Sequence, residues 1–198
     1  MGYALDKKIN KEWYWHFSTQ YRLNDNFSRF DYMFYDIGLN FKPTKNTEFE
    51  AAYVWNFKNS IKRKGLDNRS QFYASFFWGT RAGVFKINNR NRIQSSLEDE
   101  NLTDGNSRSD FFYRNKTSIR YKDLDDFTPF AYVELYWRLN NKNVWENTIY
   151  RTRYGIGLEY KISKRKRIEL YYMIQQQIKR RQPDYIYVIG LGFEQTIK

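Results

Sequence analysis

Polar and apolar residues alternate with a period of two along almost the whole chain, which is the pattern of strands with one apolar face. Ten runs follow it, at about residues 13–23, 29–42, 47–58, 69–79, 84–97, 110–122, 129–139, 148–161, 166–178 and 185–196. Most run to roughly 11–14 residues. That is about twice the ~5–6 usual in globular strands, and it meets the ~9–11 that a tilted strand needs to cross a bilayer. The apolar faces read Trp13, Trp15 and Phe17 in the first run, Met33, Tyr35, Ile37 and Leu39 in the second, and Val133, Leu135 and Trp137 in the seventh. The fifth is the weakest, because Asn89 and Asn91 interrupt Phe85, Ile87 and Ile93. The opposite faces carry charge of both signs, such as Lys86, Arg90 and Arg92, or Arg114, Lys116 and Arg120.

The connections alternate in length. Those at 43–46, 80–83, 123–128 and 162–165 are short; those at 59–68, 98–109, 140–147 and 179–184 are mostly longer and polar. The first, Asn24 to Ser28, is short for its class. Long loops at one end and short turns at the other is the layout of an outer-membrane barrel. The expectation is one domain over 1–198: a closed, antiparallel, up-and-down transmembrane β-barrel of about ten strands, with both termini at the short-turn, periplasmic end. Alternation alone would also fit a soluble lipocalin-like barrel or a sandwich. Against these stand the length and even number of the runs, and apolar faces rich in Tyr and Trp, whose polar tips would need partners in a dry core. The aromatics also form two bands: Trp15, Trp78, Tyr121 and Tyr160 towards the short turns, and Trp55, Trp137 and Tyr150 towards the long loops. Two bands are what interfacial girdles require.

Composition narrows the chemistry. Aromatics make up 20% of the chain, so this is not a disordered segment. There is no cysteine and one histidine, His16, which removes a disulfide framework, a thiolate site and a His-rich metal site. No metal or cofactor is predicted. The first residues do not read as a signal peptide, so an exported protein would have lost its leader. A net charge of +12 points to an anionic partner: nucleic acid, anionic lipid or lipopolysaccharide phosphate. Nucleic acid is disfavoured because alternation puts most aromatics and most charges on opposite faces.

With the charged faces inward, the lumen of a ten-strand barrel is slightly wider than that of an eight-strand one, which side chains just fill. The expected lumen network comprises Glu48, Glu50, Arg90, Arg92, Arg114, Arg120, Glu134, Arg138, Arg151, Arg153, Glu159, Arg167 and Glu169. Mixed signs favour an ion-paired plug. The alternative is a ladder of Arg90, Arg92, Arg114, Arg120, Arg151 and Arg153 passing anions. His16 is the one candidate general base. Folding the first two runs together puts it roughly opposite Asp36, with Ser18 two residues along, a set able to support acyl transfer on lipid. Its position in the lower half of the strand, away from the outer rim where substrate arrives, argues against catalysis. Lys62, Arg63 and Lys64, with Lys179, Arg180 and Arg181, are candidate contacts to lipopolysaccharide phosphates.

The hairpin at 153–172 raises a question of register. Pairing about Ser163 sets Glu159 opposite Arg167, whereas a slip sets it against Glu169, so charge favours the first. That register puts Gly155 opposite Tyr171, with Gly192 near Tyr171 on the other side and Gly190 near Met173. Gly155, Gly157, Gly190 and Gly192 are then packing devices under bulky lumen side chains. Neither glycine pair opens a helix within a βαβ unit, which excludes a dinucleotide loop.

The stretches RNKTSIRYKDL, PFAYVELYW, YRTRYGIGLEYKISKRKRIELYYMIQQQ and YVIGLGFE resemble the domain of unknown function 2490 family, whose members are predicted Gram-negative outer-membrane barrels. The resemblance implies fold and location. That family carries no established activity, so it transfers no catalytic residue. The expected role is a non-enzymatic structural or accessory component of an envelope assembly, in contact with outer-membrane lipid, lipopolysaccharide and other envelope proteins. A narrow anion-preferring channel is second, and a lipid-directed hydrolase using His16 third.

Overall fold

The computed structural model describes residues 1–60, 65–98, 110–139, 149–178 and 185–197. They form eleven strands and, among the described residues, no helix: β1 (Gly2–Lys8), β2 (Trp13–Asn24), β3 (Arg29–Phe41), β4 (Thr47–Ser60), β5 (Gly65–Ala82), β6 (Phe85–Glu98), β7 (Asp110–Tyr121), β8 (Phe127–Arg138), β9 (Ile149–Ser163), β10 (Lys166–Gln177) and β11 (Tyr185–Ile197). The sheet closes, with β2 to β11 meandering antiparallel and β1 inserted between β2 and β11.

That eleventh strand corrects the expected ten. β1 pairs antiparallel with β2 and parallel with β11. At seven residues, three of them charged, it is too short and too polar for periodicity to reveal. It also moves the N-terminus. The Met1 amine donates to the Tyr21 carbonyl at 2.7 Å, part-way up the wall. The expectation that both ends lie at the short turns therefore fails for the N-terminus, and only β11 finishes there.

The two faces divide as the alternation implies. Apolar side chains point out: Ile156 and Ile189 are each 63% exposed, and Trp15, Trp55, Trp78 and Tyr160 all face outward. Charged and polar ones point in: Glu134 is 3% exposed and Asn56 1%. In water, each outward Leu or Ile would forgo roughly 1.5–3 kcal/mol of burial. In hydrocarbon it forgoes nothing, so this barrel is built for lipid. The inner apolar cluster is small, Ala52, Val54 and Tyr73 with Phe34 against them.

The β9–β10 register differs from the one that charge favours. Glu169 pairs with Glu159 and Arg167 with Lys161, after an irregularity at Lys166/Arg167. Glu159 does not need a cation directly opposite. Arg167 reaches it diagonally at 3.7 Å, and Lys122 from the β7–β8 turn at 3.6 Å. Cross-strand charge therefore leaves the register free, and aromatic–glycine packing accompanies the one adopted. Tyr171 lies between Gly157 and Gly190 instead of Gly155 and Gly192. Its ring covers the Gly190 backbone where a Cβ would sit, while Tyr132 and Phe130 of β8 cover Gly155 and Gly157. Tyr171 faces the lumen, where Gln20 Nε2 donates to its hydroxyl at 3.2 Å.

Two outcomes follow. Gly190→Val should destabilise the barrel by about 1–3 kcal/mol through the clash with Tyr171, read as a lower urea midpoint in micelles, and adding Tyr171→Ala should recover part of the loss. Brominated lipids should quench most of the tryptophan fluorescence, since Trp15, Trp55 and Trp78 face outward; unquenched emission would contradict this orientation.

Candidate functional site

The lumen is organised by two buried carboxylates. Glu134 on β8 stands opposite Lys116 and Arg153 in register, and longer arginines reach it diagonally. Its Oε1 accepts from Arg90 and from Arg114, at 2.8 Å for Arg114 Nη2. Its Oε2 accepts from the Tyr136 hydroxyl at 2.9 Å and lies 3.5 Å from Arg153 Nη1. The Tyr136 ring is the second shared element, with Arg114, Arg151 and Arg153 stacked near it at 4.5, 5.4 and 4.9 Å. Several guanidiniums thus share one carboxylate and one π-face, which spreads their mutual repulsion.

Glu50 on β4 anchors the second knot. Arg92 Nη2 donates to it at 3.0 Å and Arg92 Nε to Ser75 at 2.9 Å. The Arg92 guanidinium lies 3.4 Å from the Tyr73 ring centroid. The Tyr73 hydroxyl sits 2.7 Å from Asp36 and 3.2 Å from Glu50. Nearer the short turns the pairs are looser: Arg167 with Glu194 at 2.7 Å, Lys42 with Glu48 at 3.7 Å, and Asn40 donating to Glu48 at 2.9 Å.

These knots fill one side of the lumen and leave space on the other. A cavity of about 340 Å³ runs beside β1, β2, β10 and β11, between Ser18, Gln20 and Arg22 and the side chains of Arg114, Arg153, Glu169 and Tyr171. A second, of about 730 Å³, lies below it at the short-turn end. The two adjoin, because Arg90, Lys116, Glu159, Arg167 and Glu194 line both. Nine basic side chains line the lower cavity against three carboxylates, Glu48, Glu159 and Glu194. The open space therefore lies beside Glu134, and its lower part is lined mostly by cations. Lys86 and Lys116 lie on the charged faces that period two turns inward with Arg90 and Arg114, though the expected lumen network left them out. Lys42 and Lys45 belong to a turn, and only the closed fold brings them to the mouth.

The His16 constellation is assembled differently from the expectation. His16 Nδ1 lies 2.7 Å from Asp6 Oδ1, in the strand that the periodicity misses. Asp36 instead takes the Tyr73 hydroxyl, and Ser18 stands opposite Ala4 and Asp36. Among the described residues no hydrogen bond links Ser18 to His16, so the three form no nucleophile–base–carboxylate chain. Arg120 lines the lower cavity and bonds Ser118 at 3.1 Å. Arg138 stands opposite Phe112, at the far end of β8. Tyr121 stacks beside Phe85, and Trp137 beside Tyr113. The Tyr150 side chain, and Lys62, Arg63, Lys64, Lys179, Arg180 and Arg181, lie outside the described residues.

The model of a family described as protein of unknown function (DUF2490) matches residues 1–186. No curated protein matches the chain. A solved structure described as NanC porin in a rhombohedral crystal form is similar over 98% of this chain and 97% of its own, at 15% identity and a TM-score of 0.50. At that identity the likeness is one of fold alone.

Glu134→Ala would leave Arg90, Arg114 and Arg153 converging on no anion. The expected loss is about 3 kcal/mol, read as a lower urea midpoint. Glu134→Gln, which keeps the acceptor oxygen, should lose less.

Proposed function

The chain belongs to the DUF2490 family, and we propose that it is an outer-membrane barrel that passes small anions along a narrow, cation-lined route. The observation that carries the reading is the pair of adjoining cavities with their excess of basic side chains. Closure of the sheet supports the location, since lipid offers backbone groups no partner at an open edge. Long loops at one end and short turns at the other support a periplasmic short-turn side in a Gram-negative envelope. The fold likeness to a porin is in keeping with passage.

The route has a physical logic. An anion arriving at the short-turn mouth meets Lys86 and Arg120, then Arg90 and Lys116, then Arg114 and Arg153. Each pair replaces part of its hydration shell. Conduction also requires that no site hold the ion too firmly. Glu159, Glu169 and Glu194, interspersed along the opposite wall, weaken each site, and the Glu134 knot holds its arginines in fixed directions. The packed half of the lumen supports a second reading, a structural or accessory component of an envelope assembly that conducts nothing.

Planar-bilayer recording separates the two. Under a KCl gradient, steady single-channel steps with a reversal potential of anion sign are expected. Lys116→Glu should move that potential towards the cation side. A barrel that inserts yet gives no steps would return the protein to the accessory reading.

A further inference from the structure

The wall made by β5, β6 and β7 carries an arrangement that the fold does not demand. Arg81 stands directly opposite Lys86, and Lys86 directly opposite Arg120. Three like charges on one rung of adjacent strands repel, and such neighbours are ordinarily selected against. Several other lumen cations are neutralised by carboxylates, as Arg92 is by Glu50 and Arg167 by Glu194. Here, among the described residues, no carboxylate forms an ion pair with Arg81, Lys86 or Arg120. Among the described residues, the direct partners of Arg120 are the Ser118 hydroxyl and the Phe130 ring, at 3.1 and 5.4 Å, and Glu169 and Glu194 act on it only from beyond ion-pair distance.

All three side chains line the lower cavity. Two residues further in, Gly79, Asn88 and Ser118 make an uncharged polar rung. A Cβ at Gly79 would approach Asn88 Oδ1 to 2.8 Å, so the glycine leaves the Asn88 amide its room. Two residues beyond that stand Arg90 and Lys116. The Lys116 ammonium has no carboxylate ion pair among the described residues and lies 3.8 Å from the Tyr132 ring centroid. The mouth rung and the inner pair are four residues apart, about 14 Å at ~3.4 Å per residue. Within the mouth rung, neighbouring strands are only ~4.8 Å apart.

We propose that the Arg81–Lys86–Arg120 rung is a binding site for a small multivalent oxyanion of the phosphate type, taken up at the short-turn mouth before it moves inward. A monovalent ion would offset only one of the three positive charges. An oxyanion with several charged oxygens offsets more, and guanidiniums hold such oxygens in pairs where an ammonium acts as a point charge. Two arginines flanking a lysine offer both kinds of contact. The polar rung at Asn88 and Ser118 then keeps the anion hydrogen-bonded on its way to Arg90 and Lys116. The site deepens the anion-passage reading and draws its physiological sense from it, but binding can be measured without conduction.

Inorganic pyrophosphate is the probe, titrated calorimetrically into the refolded barrel in zwitterionic micelles. Saturable binding is expected, weakening as KCl rises. The double variant Lys86→Gln with Arg120→Gln should lose at least tenfold in affinity, and Lys58→Gln, a lysine outside this cavity, should not. Lys86→Gln alone, an exposed side chain at a strand end, should lose a smaller factor and serves if the double variant does not refold. In bilayers, pyrophosphate added at the short-turn side should reduce chloride current at a lower concentration than from the loop side. No binding by the wild type, or equal binding by the mouth variants and Lys58→Gln, overturns the site even if the channel selects anions. Saturable binding lost in the mouth variants, in a barrel that gives no current, upholds the site and overturns anion passage instead.

Discussion

A backbone amide or carbonyl in hydrocarbon must find its partner within the protein, because lipid supplies none. Every large feature of this barrel follows from that demand. It forbids an open edge, so β2 to β11 cannot stop as a curved sheet. The gap in the lower wall is taken by the short β1, which pairs with β2 on one side and runs parallel to β11 on the other. Closure in turn imposes alternation, since each strand has one side chain towards lipid for every one towards the lumen.

Closure also creates the electrostatic problem that gives the interior its character. With apolar residues committed to the outside, the polar residues of all strands are forced into one narrow space. Most are charged, and there are more cations than carboxylates. The protein resolves part of this excess by sharing. Glu134 serves Arg90, Arg114 and Arg153, and the Tyr136 face lies against Arg114, Arg151 and Arg153. Glu50, Asp36 and Tyr73 do likewise for Arg92. What remains unshared is concentrated along β5 to β7 near the short turns, facing open space. The same excess that costs stability as like-charge repulsion is what the proposed passage and capture of anions would draw on.

The hairpin of β9 and β10 shows where local charge rules lose to packing. Opposite charges favour Glu159 against Arg167, yet the strands place Glu159 against Glu169. Long flexible cations reach Glu159 diagonally, so its neutralisation tolerates either register. Rings are less adaptable. Tyr171 lies over Gly190, and Tyr132 and Phe130 lie over Gly155 and Gly157. A β9–β10 slip would move each β10 side chain to a different β9 neighbour and remove Tyr171 from beside Gly157. The sequence placed these glycines on the lumen face without showing which ring lies over which, and no ring lies over Gly192.

Period-two alternation over long runs was enough to establish a lipid-facing barrel, its inward and outward faces and the short and long ends. Those properties depend on each residue's place in its own strand, which the chain states directly. Strand count was misjudged because β1 is held by its neighbours rather than by its own periodicity. His16 found its carboxylate in Asp6 of that same strand, out of reach of any argument about the first two long runs. The adjoining cavities, the shared carboxylate at Glu134 and the like-charge rung of Arg81, Lys86 and Arg120 belong to the tertiary structure alone. Each is a relation between side chains on different strands. Register and closure set such relations, and both are cooperative properties of the whole sheet.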